Sequence, residues 1–150
     1  MVQESGDRAA SSVGLERRLD RPGGPAFDSY LVKRNGRLFA GVHLLVDFWG
    51  ATNLTDEKFV AEALRSAAEA ANATPLDLNV HKFSINNGVS GVILLAESHI
   101  SIHTWPEIAF VAIDIFMCGG CDPYDCVETL KKAFEPAETS LFERCRGLVP

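Results

Sequence analysis

Apolar positions change their spacing along the chain, and each change marks an element. Leu38 to Trp49 is dense in Leu, Val and Phe and predicts a strand. Phe59, Val60, Ala63, Leu64, Ala67, Ala68 and Ala71 then recur at helical spacing, with Asp56 and Glu57 in the first turn, where negative charge suits the helix dipole. Asn72-Ala73-Thr74-Pro75 ends that helix. Leu76 to Phe83 alternates as a strand does, and Asn86-Asn87-Gly88 is a turn signal. Gly91 to Ala96 is an almost wholly apolar strand, Ser98 to Thr104 alternates again, and Ile108 to Met117 is the longest apolar run and predicts a central strand. Asp122 caps a second helix with Pro123 at its first position, and Val127, Leu130, Lys131 and Phe134 mark its inner stripe. Thr139 to Cys145 reads as the last strand.

The order is therefore β-α-β-β-β-α-β. Too few strands are joined by helices for a parallel sheet. The pattern predicts an α+β fold, a two-layer sandwich with helices on one face of an antiparallel sheet. Residues 1–36 are polar and carry the breaker cluster Arg21-Pro22-Gly23-Gly24-Pro25, which predicts a mobile tail ahead of a single domain over 37–150. The alternative is that Phe27 to Val32 docks as an extra edge element.

A net charge of -6 argues against a nucleic-acid partner, which needs a clustered basic surface. No apolar run approaches the roughly 20 residues that span a bilayer. The first 36 residues carry acidic groups and no secretory apolar stretch, so a cytoplasmic location is the default expectation. In that setting Cys118, Cys121, Cys126 and Cys145 are expected as thiols rather than disulfides.

The chemistry concentrates between Leu95 and Glu107. Ser98, His99, Ser101, His103 and Glu107 are reactive or titratable groups beside a very hydrophobic strand. On an extended chain His99, Ser101 and His103 project together and Ser98 faces the other way. The residues alone leave three readings open. They are polar decoration at a strand end, a hydrolase with a Ser nucleophile and a His base, or a metal site of His99 and His103 with His81 or Cys118. The hydrolase reading lacks a Gly-x-Ser-x-Gly elbow around Ser98. Cys118-Gly119-Gly120-Cys121 has redox or zinc spacing, but no second such pair follows.

Glu97-Ser98-His99-Ile100-Ser101-Ile102-His103-Thr104-Trp105-Pro106-Glu107, followed by Ala112 to Gly119, resembles the prokaryotic S-adenosylmethionine decarboxylase family. Gly41 to Asp47, Val80 to Phe83 and Gly88 to Gly91 resemble it too, so the likeness runs roughly from Gly41 to Phe134. The resemblance implies a self-cleaving precursor cut between Glu97 and Ser98 into residues 1–97 and 98–150, with Ser98 converted to a pyruvoyl cofactor and no metal. It assigns processing to Ser90 and His103, since imidazole suits proton removal at neutral pH. The pyruvoyl ketone would form a Schiff base with a small-molecule substrate, and Cys118 would protonate the product carbon. Phe83 matches the adenine-stacking position and Glu107 the ribose-binding carboxylate, and Phe48 or Trp49 could face the sulfonium. The product would supply aminopropyl groups for spermidine synthesis. A homodimer of cleaved protomers is also implied.

The chain departs from the family pattern where Tyr-Gly-Tyr is expected and Ile108-Ala109-Phe110 stands, and in one extra residue within Ile85-Asn86-Asn87. Both flank the expected ligand pocket. Two alternatives follow. One is an arginine or ornithine decarboxylase on the same scaffold, with Asp47, Glu107 or Asp114 holding the substrate's cation. The other is an inactive homologue that binds a partner subunit, against which the intact Glu97-Ser98, His103 and Cys118 argue.

Overall fold

A computed structural model describes residues 29–96 and 98–150. Strands β1 (Val32–Arg34) and β2 (Arg37–Trp49) precede helix α1 (Glu57–Ala70). Strands β3 (Pro75–Lys82), β4 (Val89–Leu95), β5 (Ser98–Trp105) and β6 (Phe110–Met117) follow, then α2 (Pro123–Phe134) and β7 (Glu138–Leu148). From β2 onward this is the expected order. The addition is β1, which pairs with the start of β2 through Asn35 and Gly36, at φ of 50° and 75°. Asn-Gly favours this two-residue hairpin because both positions need positive φ. Most of the expected tail, residues 1–28, lies outside the described residues, as does Glu97.

All strand pairs are antiparallel. The sheet runs β7-β2-β6-β5-β4-β3. Because Phe39 pairs with both Val32 and Leu148, β1 lies on the β6 side of β2, opposite β7. Both helices cover the same face, α1 over β3 and β4, α2 over β2 and β6. The expected two-layer α+β sandwich is therefore the fold.

Alternation decides what that covered face buries. Leu44, Val46 and Phe48 of β2, Ile100 and Ile102 of β5, and Ile113 and Ile115 of β6 point into the helix layer. α1 answers with Val60, Leu64, Ala67 and Ala68, and α2 with Cys126, Val127, Leu130 and Phe134. Each such large aliphatic side chain contributes about 1.5–3 kcal/mol when fully buried. Phe48 is core and faces no ligand, which corrects its assignment as a sulfonium contact. Lys131 leaves the inner stripe as well: its Nζ lies 3.4 Å from Glu128, and Cys126 takes the buried place.

Asp56 and Asp122 start the helices as N-caps, accepting from Lys58 and Phe59 and from Tyr124 respectively. The strand expected from Ile108 begins later, at Phe110, because Pro106–Ile108 forms a 3-10 turn. That turn ends on Ala109 at φ 50°. A left-handed conformation costs a residue with a Cβ roughly 1–2 kcal/mol, partly offset by the extra backbone entropy of glycine. Ala109→Gly is therefore expected to stabilise the fold by about 0.5–1 kcal/mol and raise Tm by roughly 2–4 °C. A thermal melt with unchanged or lower Tm would contradict this account of the turn.

Candidate active site

Alternation along β5 divides the candidate residues between the two faces of the sheet, as the sequence predicts. Ser98 points with Ile100, Ile102 and Thr104 into the helix-covered face, while His99, Ser101, His103 and Trp105 lie on the bare face. Thr104 is buried with its hydroxyl satisfied: it donates to the Leu54 carbonyl and accepts from Val89 N, both at 2.8 Å.

Ser98 is the first residue of β5, paired with Leu95 of β4 and only 5% exposed. β6 runs beside it and delivers Cys118 just past its last residue, so Ser98 Oγ and Cys118 Sγ lie 3.9 Å apart. Gly119 at φ 63° turns the chain away, and its N–H donates to the Tyr30 carbonyl at 3.1 Å. The remaining thiols are placed differently. Cys121 Sγ donates to the Asn72 carbonyl at 3.6 Å. Cys126 Sγ donates to the Ala67 carbonyl at 3.2 Å, and burial pushes its thiol up to about 12, which keeps it protonated.

A second group sits near the other end of β5. Ser90 and His103 pair across β4 and β5, with Ser90 Oγ 2.7 Å from His103 Nδ1. They line a cleft of about 380 Å³ with Phe83, Ile85, Asn86 and Trp105. Phe83 is 46% exposed and meets His81 edge-on at 4.8 Å between ring centres. Beside the cleft, Asn86 Nδ2 donates to both carboxylate oxygens of Glu107, at 3.1 and 3.2 Å. Trp105, Phe110 and Trp49 continue as an aromatic row, with centroid spacings of 5.3 and 4.3 Å.

The two groups do not meet within one copy. Five residues of extended chain separate Ser98 from His103, roughly 17 Å at the usual strand rise. They also occupy opposite faces. Ser98 with Cys118 forms one centre, and Ser90, His103, Phe83 and Glu107 form another.

Between them, the bare face carries a pair that sequence reasoning missed. His43 Nε2 lies 3.1 Å from Asp114 Oδ1, and the rings of His43, His99 and Phe116 cluster, with centroids 6.3, 6.0 and 5.9 Å apart. No spacing in the sequence signals this, because it depends on the register that sets His43 opposite Phe116. All four histidines of the chain, His43, His81, His99 and His103, lie on this face. Among the described residues, no group of three or more His, Cys, Asp or Glu is placed to hold a metal ion, and no helix is long and apolar enough to cross a membrane.

On this two-layer antiparallel scaffold, the class of enzyme the comparisons define is a decarboxylase, a carboxy-lyase. The family model described as S-adenosylmethionine decarboxylase matches residues 42–147, and the chain belongs to that family. The S-adenosylmethionine decarboxylase proenzyme of Thermomicrobium roseum is 41% identical over 110 residues, covering 73% of this chain and 95% of the relative. The proenzyme of the same name from Methanococcus maripaludis is 38% identical over 112 residues, covering 73% and 91%. The crystal structure of the adenosylmethionine decarboxylase from Aquifex aeolicus superposes with a TM-score of 0.67 at 32% identity, covering 73% of this chain and 92% of that one.

Proposed function

We propose that this chain cleaves itself between Glu97 and Ser98 and that the matured protein decarboxylates S-adenosylmethionine, whose product supplies aminopropyl groups. The observation that carries the reading is Ser98 at the head of β5 with the Cys118 thiol 3.9 Å from its hydroxyl. Ser98 Oγ attacks the Glu97 carbonyl carbon, and the C–N bond breaks to leave an ester and a free amine. A base then removes the Cα proton of residue 98. The C–O bond breaks, and the Glu97 carboxylate departs. The resulting dehydroalanine takes up water and releases ammonia, which leaves a pyruvoyl group on residue 98. The residues fit that group: Ser98 heads β5, so the new chain end forms at the start of the strand with the Cys118 thiol beside it. Once formed, it supplies an electron sink for the pair released with CO₂. Cys118 then hands its proton to the substrate carbon.

His103, hydrogen-bonded to Ser90, is the base of this reading, yet its own Ser98 is out of reach. A second copy resolves the conflict. The bare face exposes Leu45, Trp49, Val92, Leu94 and Phe142, an apolar surface of the kind that marks an interface. In a two-fold dimer each copy uses the same patch, and an axis running across the strands brings the Ser90–His103 end of one copy to the Ser98–Cys118 end of the other, where Ser98, as the first residue of β5, is reached past the strand's end rather than through the sheet. The homodimer thus assembles two composite sites, in which Phe83 and Glu107 come from the copy that supplies His103.

Substrate identity is tested by CO₂ release from labelled S-adenosylmethionine, arginine and ornithine. Adenine stacked on Phe83 predicts that Phe83→Ala raises KM for S-adenosylmethionine by about tenfold to hundredfold, the equivalent of losing ~1–3 kcal/mol of stacking. Release from arginine or ornithine with none from S-adenosylmethionine would overturn the assignment, and Ile108-Ala109-Phe110 would be the first place to seek the cause.

A further inference from the structure

We infer that Asn86 is a positioning residue that holds the Glu107 carboxylate ready for a ligand bearing two vicinal hydroxyls. The inference rests on the substrate reading above and assigns a role to a residue outside it. The loop between β3 and β4 is closed by Phe83 N donating to the Gly88 carbonyl at 2.8 Å. Inside it, Asn87 takes φ 58°, and Asn86 Oδ1 accepts from Gly88 N at 2.9 Å. That last bond settles which end of the amide is which. With Oδ1 committed to a backbone donor, the NH₂ end faces Glu107, and one N–H is shared between Oε1 at 3.1 Å and Oε2 at 3.2 Å. The reverse orientation would set carbonyl oxygen against carboxylate and amide N–H against backbone N–H.

The loop has little freedom to relax. A Cβ at Gly88 would come within 2.7 Å of the Thr104 carbonyl and 3.0 Å of Asn86 Oδ1, so the loop is pressed against the end of β5. Glu107 sits opposite on the 3-10 turn, where Pro106 occupies the first position. An exposed glutamate there would otherwise sample many rotamers. Asn86 restrains it from one side and leaves each oxygen further lone-pair capacity beside the cleft. A fixed carboxylate with both oxygens available accepts from two neighbouring donors at once, as a ribose diol offers them; a guanidinium also offers two N–H donors, and the dideoxy comparison below separates the two. Being neutral, the amide orients the carboxylate without cancelling its charge.

The discriminating variant is Asn86→Asp. Its carboxylate can still accept from Gly88 N and keep the turn, but it cannot donate to Glu107 and repels it. Steady-state kinetics on the self-processed protein would compare S-adenosylmethionine with its 2′,3′-dideoxy analogue, beside Glu107→Gln. We expect Asn86→Asp to raise KM for S-adenosylmethionine about tenfold to hundredfold, as for loss of a hydrogen bond to a charged group, with kcat within twofold and KM for the dideoxy analogue unchanged. An equal rise for both substrates would reduce Asn86 to a loop-shaping residue and overturn the inference. So would an unchanged KM in Asn86→Asp where Glu107→Gln raises it. If Glu107→Gln itself leaves KM for S-adenosylmethionine unchanged, the ribose assignment of Glu107 falls first, and this inference falls with it.

Discussion

Replacing Ser98 with alanine is expected to leave a single 150-residue chain, whereas the unmutated protein is expected to mature into residues 1–97 and 98–150. The variant loses the hydroxyl that attacks the Glu97 carbonyl and the atom that becomes the departing ester oxygen. It should therefore show no cleavage and no CO₂ release at all. Intact-mass measurement reads this directly, and the shorter unmutated fragment should lack a free N-terminal amine. A stable, uncut native chain would sink the proposal. The same assay tests the composite site. Ser98→Ala and His103→Ala should each stay intact alone. When they are co-expressed with distinguishable tags, the His103→Ala chain should be cut, because its intact Ser98 meets the partner's His103. If processing ran within one copy, neither chain would be cut.

Replacing Cys118 with alanine is expected to do something different: normal cleavage followed by a loss of turnover of about 10²–10⁴-fold, the range for a positioned proton donor. The contrast follows from geometry. Cys118 Sγ is 3.9 Å from Ser98 Oγ, whereas Cys121 is turned toward the Asn72 carbonyl and Cys126 is sealed in the core. Cys121→Ala should accordingly stay within twofold of the unmutated protein in single-turnover CO₂ release. Full turnover by a completely cleaved Cys118→Ala protein would return that thiol to a packing role.

Periodicity carried most of the architecture, because the two helices and the long strands bury one face each and alternation records that. Where local chemistry competes with alternation, the reading slipped. Asn35-Gly36 is a short-range hairpin signal, but the polar stretch around it masked a three-residue strand. Pro106 and the left-handed Ala109 hold the apolar Ile108 out of β6. The division of Ser98 from His103 between the faces was legible, since it needs only a period of two. Their neighbours were not. Asn86 and Glu107 are 21 residues apart, and His43 and Asp114 are 71 apart. Such pairs exist only once register brings two loops or two strands together, and a single sequence contains no record of register between distant segments. The motif marked the candidate residues and their faces, and the sheet adds which neighbours stand beside each of them.

The place of β2 in the sheet has a consequence for the lifetime of the protein once cut as proposed. Residues 1–97 own β1 to β4 and α1, and residues 98–150 own β5 to β7 and α2. β2, from the first fragment, is threaded between β6 and β7, both from the second. Once the link between residues 97 and 98 is severed, the two pieces stay interlocked, and separating them means tearing out a central strand. Before the cut, refolding is a first-order event of one chain. Afterwards it requires two molecules to find each other, so recovery weakens with dilution by mass action. The proposed cleavage would thus write an irreversible step into the protein's history: the fold would be assembled once, as a single chain, and afterwards kept by the barrier to unthreading rather than by ready return from the unfolded state.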